Sequence, residues 1–152
     1  MENQKLEITA KIQISKMASE VFEAIADPQK MSNYFILEGD KRLEENQEVT
    51  WKWPEFEGEF KIRTGKIVKD ELVSFYWEAS GKDNLVEIKL DSADHGKATI
   101  VTVTEKDADN DEKGIKWLKG NTEGWANFLA CMKAYLEYGI NLRKGAFDFM
   151  KK

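Results

Sequence analysis

The sequence predicts an α+β fold: a curved antiparallel sheet of about seven strands, two short helices after the first strand, and a long C-terminal helix packed across the sheet. Three observations predict it. Apolar residues alternate with polar ones from Leu6 onward, and the alternation returns again and again up to Glu105. Helical spacing interrupts it only once, between Phe22 and Phe35. A final helical run, ending near Tyr138, is the one element long enough to cover an apolar sheet face.

Leu6, Ile8, Ala10, Ile12 and Ile14 alternate with Glu7, Thr9, Lys11 and Gln13, which is a strand with one buried face. Ser15 offers a polar residue near a helix start, with Glu20 and Glu23 in the early turns and Phe22, Ile25 and Ala26 on one side. Asp27-Pro28 restarts the helical pattern, Asp as cap and Pro at the first helical position. From Ile36 the period is two again. Val49, Trp51 and Trp53 share a face before Pro54 stops the strand. Phe60, Ile62 and Thr64 share the next, and the parity slips at Gly65, which predicts a β-bulge and a bent strand. Val73, Phe75 and Trp77 follow, then Val86, Ile88 and Leu90, a turn at Asp94-His95-Gly96, and Thr99, Val101 and Val103.

Asp107 to Glu112 reads as an acidic loop. In the last helix Trp125, Phe128, Leu129, Met132, Tyr135 and Leu136 form one apolar stripe. Gly120 and Gly124 predict a bend or a late start, and Gly139 a stop. Phe147 and Phe149 alternate across Asp148 in the tail, which suits an extended segment laid over its own domain or a second copy. The chain is expected to be one domain over 1–152, with a core of about 6–138 and a tail of 139–152.

Composition excludes some functions. Lys and Arg are interleaved with Asp and Glu, and the net charge is −5, so no basic surface for nucleic acid is expected. No apolar run approaches the roughly 20 residues of a membrane span. The first residues, Met1 to Lys5, lead straight into alternating sequence, which predicts no signal segment. A single cysteine allows no internal disulfide and fits a cytoplasmic setting.

Three segments carry a resemblance. They are Ile14 to Phe22 with Asp27-Pro28; Gly65-Lys66-Ile67-Val68 with Leu72 to Glu78; and Gly124-Trp125, Phe128-Leu129 and Lys133 to Glu137. In their order and spacing the chain resembles the START-like (SRPBCC) superfamily of helix-grip folds. It is most similar to the bacterial relatives of the heat-shock-protein-90 ATPase activators. The resemblance spans about residues 6 to 138 and implies a cavity between sheet and helix, in a superfamily that binds lipids and hormones, cyclises polyketides and stimulates chaperones. Met17 stands where that branch often has Pro, Glu105 where a His is common, and the tail from Gly139 runs past the usual domain end.

No catalytic residue, metal site or cofactor is expected. His95, the sole histidine, sits in a turn, so no His-based triad or zinc cluster can form. Cys131 lies beside the helix stripe with no basic partner. Asp107, Asp109 and Asp111 imitate a calcium loop, but Glu112 and Leu118 occupy the positions that need Gly and Glu. Arg63 and Glu78 oppose the parity of their strands' apolar residues, so they are expected in solvent. Glu105 shares the parity of Val101 and Val103 and is expected to face inward.

The expected ligand-binding set is Trp51, Phe60, Phe75, Trp77, Glu105, Trp125, Phe128 and Met132. The expected function is non-catalytic binding of an apolar or amphipathic small molecule between sheet and helix. The alternatives are a co-chaperone-like module with a chaperone partner, and a cyclase-like enzyme using the same cavity. A homodimer is a further expectation, through the tail.

Overall fold

The computed structural model describes residues 4–79 and 82–151. The reading of Met1 to Asn3 as free of a signal segment lies outside them. Strand β1 (Leu6–Ile14) leads into α1 (Ala18–Ala26) and α2 (Pro28–Met31). Then come β2 (Glu38–Gly39), β3 (Glu48–Lys52), β4 (Phe60–Val68), β5 (Leu72–Ala79), β6 (Lys82–Ala93), a 3-10 turn (Asp94–Gly96) and β7 (Ala98–Ala108). Helix α3 (Glu112–Tyr138) and a last 3-10 turn (Asp148–Met150) complete the order. The seven strands form one sheet, β1-β7-β6-β5-β4-β3-β2, every neighbouring pair antiparallel. The β4–β5 register shifts between Thr64 and Ile67, at the parity slip around Gly65.

Local chemistry explains the helix ends, with corrections to the sequence reading. Asp27 caps α2 as expected, its carboxylate accepting from the Gln29 N–H at 2.9 Å. Ser15 does not cap α1. That helix starts after Met17 with no side-chain cap, while the Ser15 N–H donates to Glu137 on α3 at 3.0 Å. The acidic loop is shorter than expected, because Ala108 still pairs with Leu6 and Asp111 already caps α3 by accepting from the Gly114 N–H at 2.7 Å. A Cβ on Gly114 would lie 1.9 Å from the Asp109 carbonyl oxygen, so this tight connection requires glycine.

Helix α3 does not start late at Gly120 and Gly124; it runs unbroken over 27 residues from Glu112. Two glycines cost a helix roughly 2 kcal/mol. Trp117, Trp125, Phe128, Leu129 and Met132, all buried on both sides of them, outweigh that cost. Gly139 ends the helix in the left-handed region at φ 66, its N–H bonding back to the last turn. The tail is not the extended segment expected. It folds through turns into the 3-10 turn, and Arg143 brings it back to Glu55 in the β3–β4 connection.

Candidate functional site

The interior of the sheet is largely apolar, and among the described strand residues Glu105 is the one buried charged side chain. On β7, Val101 and Val103 are fully buried, and so is Glu105, two residues on in the same alternation. Burying a carboxylate demands full hydrogen bonding. Glu105 has it. Trp125 Nε1 donates to Oε1 at 2.8 Å and Asn121 Nδ2 at 3.1 Å. Trp77 Nε1 donates to Oε2 at 3.0 Å, Asn84 Nδ2 at 3.1 Å and Trp117 Nε1 at 3.4 Å. All five partners are neutral N–H donors, complementary to the carboxylate form.

The fold places them simply. Asn84 is the cross-strand partner of Trp77, and Val86, beside it on β6, is the partner of Glu105. Trp117, Asn121 and Trp125 recur every fourth residue of α3 and so share one face. Strands β5, β6, β7 and helix α3 are thus joined at one carboxylate.

Above this cluster a half-open cleft of about 980 Å³ separates α3 from the β3–β5 end of the sheet. Trp53, Phe35, Trp77, Trp125 and Phe128 supply its aromatic wall. Phe35 is the hub, with ring centroids 4.7 Å from Phe128, 5.5 Å from Trp53 and 6.0 Å from Trp125. Trp77 and Trp125 lie 5.3 Å apart. Phe56, Phe60, Phe147 and Met150 edge the mouth. There Glu55, whose side chain is 3% exposed, takes two bonds from the Arg143 guanidinium, one at 3.0 Å.

Of the residues the sequence nominates, Phe60, Trp77, Trp125 and Phe128 come together on the cleft. Trp51, Phe75 and Met132 do not. They lie behind the wall at 0–1% exposure, because Phe35 and Trp53 pack over Trp51 and Phe75 is closed in by Trp51 and Trp77. Glu105 stands behind the wall too, one hydrogen bond from Trp77 and Asn121, which do face the cleft. Trp117 and Asn121 were missed, though their spacing from Trp125 was the available signal. Phe35 and the Glu55–Arg143 pair were missed as well; the pair has no signal, since 88 residues separate its members.

The remaining candidates are placed as follows. His95 is exposed, at φ 55 in its turn. Arg63 is exposed, pairs with Asp83 and lies over the Tyr76 ring at 5.1 Å. Glu78 is exposed at the cleft mouth. Cys131 is buried beside the cleft, and burial pushes its thiol pKa up, against a smaller opposing effect of Arg143. Tyr34 also borders the cleft; its hydroxyl donates to the Ala24 carbonyl at 2.8 Å and burial raises its pKa well above the usual value. Among the described residues no three His, Cys, Asp or Glu side chains are grouped to hold a metal ion, and no helix is long and apolar enough to cross a membrane.

Comparison with known proteins decides the family. The model for "Activator of Hsp90 ATPase homolog 1-like protein" matches residues 17–137. The chain belongs to this family. The START-like fold implied by the three sequence segments is the fold of this family member. Among solved structures, the chain is similar to SSP2350 from Staphylococcus saprophyticus, at 32% identity and TM-score 0.80, covering 91% of this chain and 96% of that one. The Aha1 dimer from Colwellia psychrerythraea shares the fold at 14% identity and TM-score 0.75, covering 88% and 98%. DynU16, of the dynemicin biosynthetic locus, shares it at 19% and 0.77, covering 89% of this chain and 48% of that one. No curated protein matches the chain.

Proposed function

We propose that this family member binds an apolar or amphipathic small molecule in the cleft between α3 and the sheet, without transforming it. The observation that carries the reading is the cleft itself: about 980 Å³, with an aromatic wall of Phe35, Trp53, Trp77, Trp125 and Phe128. That volume is of the order that encloses a drug-sized ligand. Trp77, Trp125, Phe128 and Phe60 would contact the ligand. Trp51, Phe75 and Met132 would hold that wall rigid, and Glu105 would fix its indoles. Of the buried carboxylates by the cleft, Glu105 is saturated with donors and Glu55 is paired with Arg143, which supports binding without catalysis. A cytoplasmic setting and a single domain over 1–152 belong to the same proposal.

Native mass spectrometry of freshly purified protein tests it, with a titration of the uncharged probe N-phenyl-1-naphthylamine followed through tryptophan quenching. A co-purified mass, or saturable quenching abolished by Phe128→Trp in the cleft, supports the reading. No added mass and no saturable quenching overturns it.

The family match favours a second reading, stimulation of a chaperone ATPase. Tyr138, Ile140, Leu142 and Phe149, 51–83% exposed, offer an apolar surface for a protein partner or a second copy. An ATPase assay with an Hsp90-class chaperone separates the two readings.

A further inference from the structure

We infer that the ligand of this cleft carries a positive charge, an ammonium or similar cation on an apolar body. The inference rests on the binding reading above and names the chemical class that the inner end of the cleft selects.

Glu105 is buried, and among the described residues its hydrogen-bond partners are five neutral N–H donors and no cation, a set that suits the carboxylate. Neutral N–H dipoles solvate the charge but do not cancel it, so its field crosses the thin, water-free wall of side chains and reaches the inner end of the cleft. The wall between is one side chain thick, because Trp77, Trp117, Asn121 and Trp125 each touch the carboxylate and each also line the cleft.

The same bonds change the indoles. An N–H that donates to an anion leaves its ring richer in electrons, and hydrogen bonds polarise their partners in this way generally. Three indoles, Trp77, Trp117 and Trp125, are enriched by one carboxylate. Electron-rich indole is the best aromatic partner for a cation, and an ammonium against it in a desolvated site gains tenfold or more in affinity, in round terms.

The charged groups around the cleft do not reverse this preference. At the mouth Glu55 and Arg143 neutralise one another. Lys61 lies 3.7 Å from Glu48, and Glu59 lies 3.9 Å from Lys52. Glu78, Lys113 and Lys116 remain, all exposed to solvent, where screening is strong. An anionic head would meet only exposed lysines at the rim, Lys61, Lys113 and Lys116. A cationic head can enter with its apolar body and settle over the indoles in front of Glu105.

The test compares three probes of equal chain length below their micelle concentrations: decyltrimethylammonium, decanol and decyl sulfate. Calorimetry and tryptophan fluorescence report affinity for the wild-type protein and for Glu105→Gln. Decyltrimethylammonium is expected to bind about tenfold or more tighter than either other probe. In Glu105→Gln, whose folding is checked by near-ultraviolet circular dichroism, the preference for decyltrimethylammonium over decanol should fall toward one. Equal affinities in the wild-type protein, or tighter binding of decyl sulfate through Lys113 and Lys116, overturn the inference and leave a general apolar cleft standing. So does an unchanged ratio in a folded Glu105→Gln. If no probe of any charge binds, the binding reading falls with it. The wild-type ranking decides the matter even if the variant does not fold.

Discussion

The Trp125 indole donates to the Glu105 carboxylate at 2.8 Å, and this bond joins the middle of α3 to the far end of β7. It is the shortest of the bonds to Glu105. The helix therefore does more than lie on an apolar face. Its position is fixed by a polar contact that exists at one register only, since a shift of one residue along either element would bury Glu105 without its donors.

Truncation of Trp125 separates packing from hydrogen bonding. Trp125→Ala should cost about 3–5 kcal/mol, as deletion of a large buried aromatic does. Trp125→Phe keeps most of the ring and loses one donor to a charged acceptor, so about 1.5–3 kcal/mol is expected. Urea titration measures both. A cost under about 1 kcal/mol for the Ala variant would mean that the stripe does not anchor the helix.

Removal of the carboxylate should be at least as damaging. Glu105→Ala leaves five N–H donors facing a void, and unsatisfied buried donors cost about 1–3 kcal/mol each where water cannot reach them. Destabilisation beyond about 3 kcal/mol is expected in the same titration. Near-native stability would mean that water replaces the carboxylate, and the cluster would then be solvated and not closed.

Glu137 gives a pH prediction. Burial works against its charge, but Lys133 and the Ser15 N–H outweigh burial and hold its pKa below the usual carboxylate range. A depressed folded-state pKa stabilises the protein above the unfolded pKa, and that contribution is lost as pH falls through the folded value. Glu137→Gln should therefore lower the melting temperature at pH 7, and the gap to wild type should close as pH falls below about 4. A gap that is constant down to pH 3 would assign the loss to packing.

How much of this was legible in the sequence depends on the range of the interaction. Strand parity placed Ile8, Val49, Ile62 and Val101 inside, and it placed Glu105 inside as well, because a period of two is local and strict. Helix spacing found Trp125, Phe128 and Met132. It could have found Trp117 and Asn121, but Gly120 and Gly124 argued for a late helix start and cut the stripe short. Parity gives a face and not a depth, so it could not tell Trp51 in the core from Trp77 at the cleft. That difference is set by Phe35, which follows the helical spacing of Met31 in the sequence but stands in a turn beyond the end of α2, where spacing says nothing of what it covers. The Glu55–Arg143 pair joins two irregular segments and has no local signature at all.

That pair decides what the tail does. Arg143 reaches Glu55 with two bonds and lies over the Phe147 ring at 5.0 Å, while Phe149 is 83% exposed and contributes little burial of its own. The tail is therefore held chiefly by an ion pair and by one half-buried Phe. Truncation after Asn141 would leave the Glu55 carboxylate, 3% exposed in the intact protein, without its cation. Breaking a buried pair from one side costs about 3–5 kcal/mol unless water floods in, whereas removing both charges costs far less. Two measurements follow. The truncated protein should melt lower than the full chain, and adding Glu55→Gln to the truncated form should recover part of the loss. In the full chain, Glu55→Gln alone should destabilise, because it strands Arg143 instead. Sedimentation of the same proteins reports whether exposed Leu142 and Phe149 also join two copies, since truncation would then halve the mass. Unchanged melting and unchanged mass after truncation would make the tail a passive extension. A loss that Glu55→Gln does not relieve would place the tail's contribution in Phe147 and Met150 and not in the ion pair.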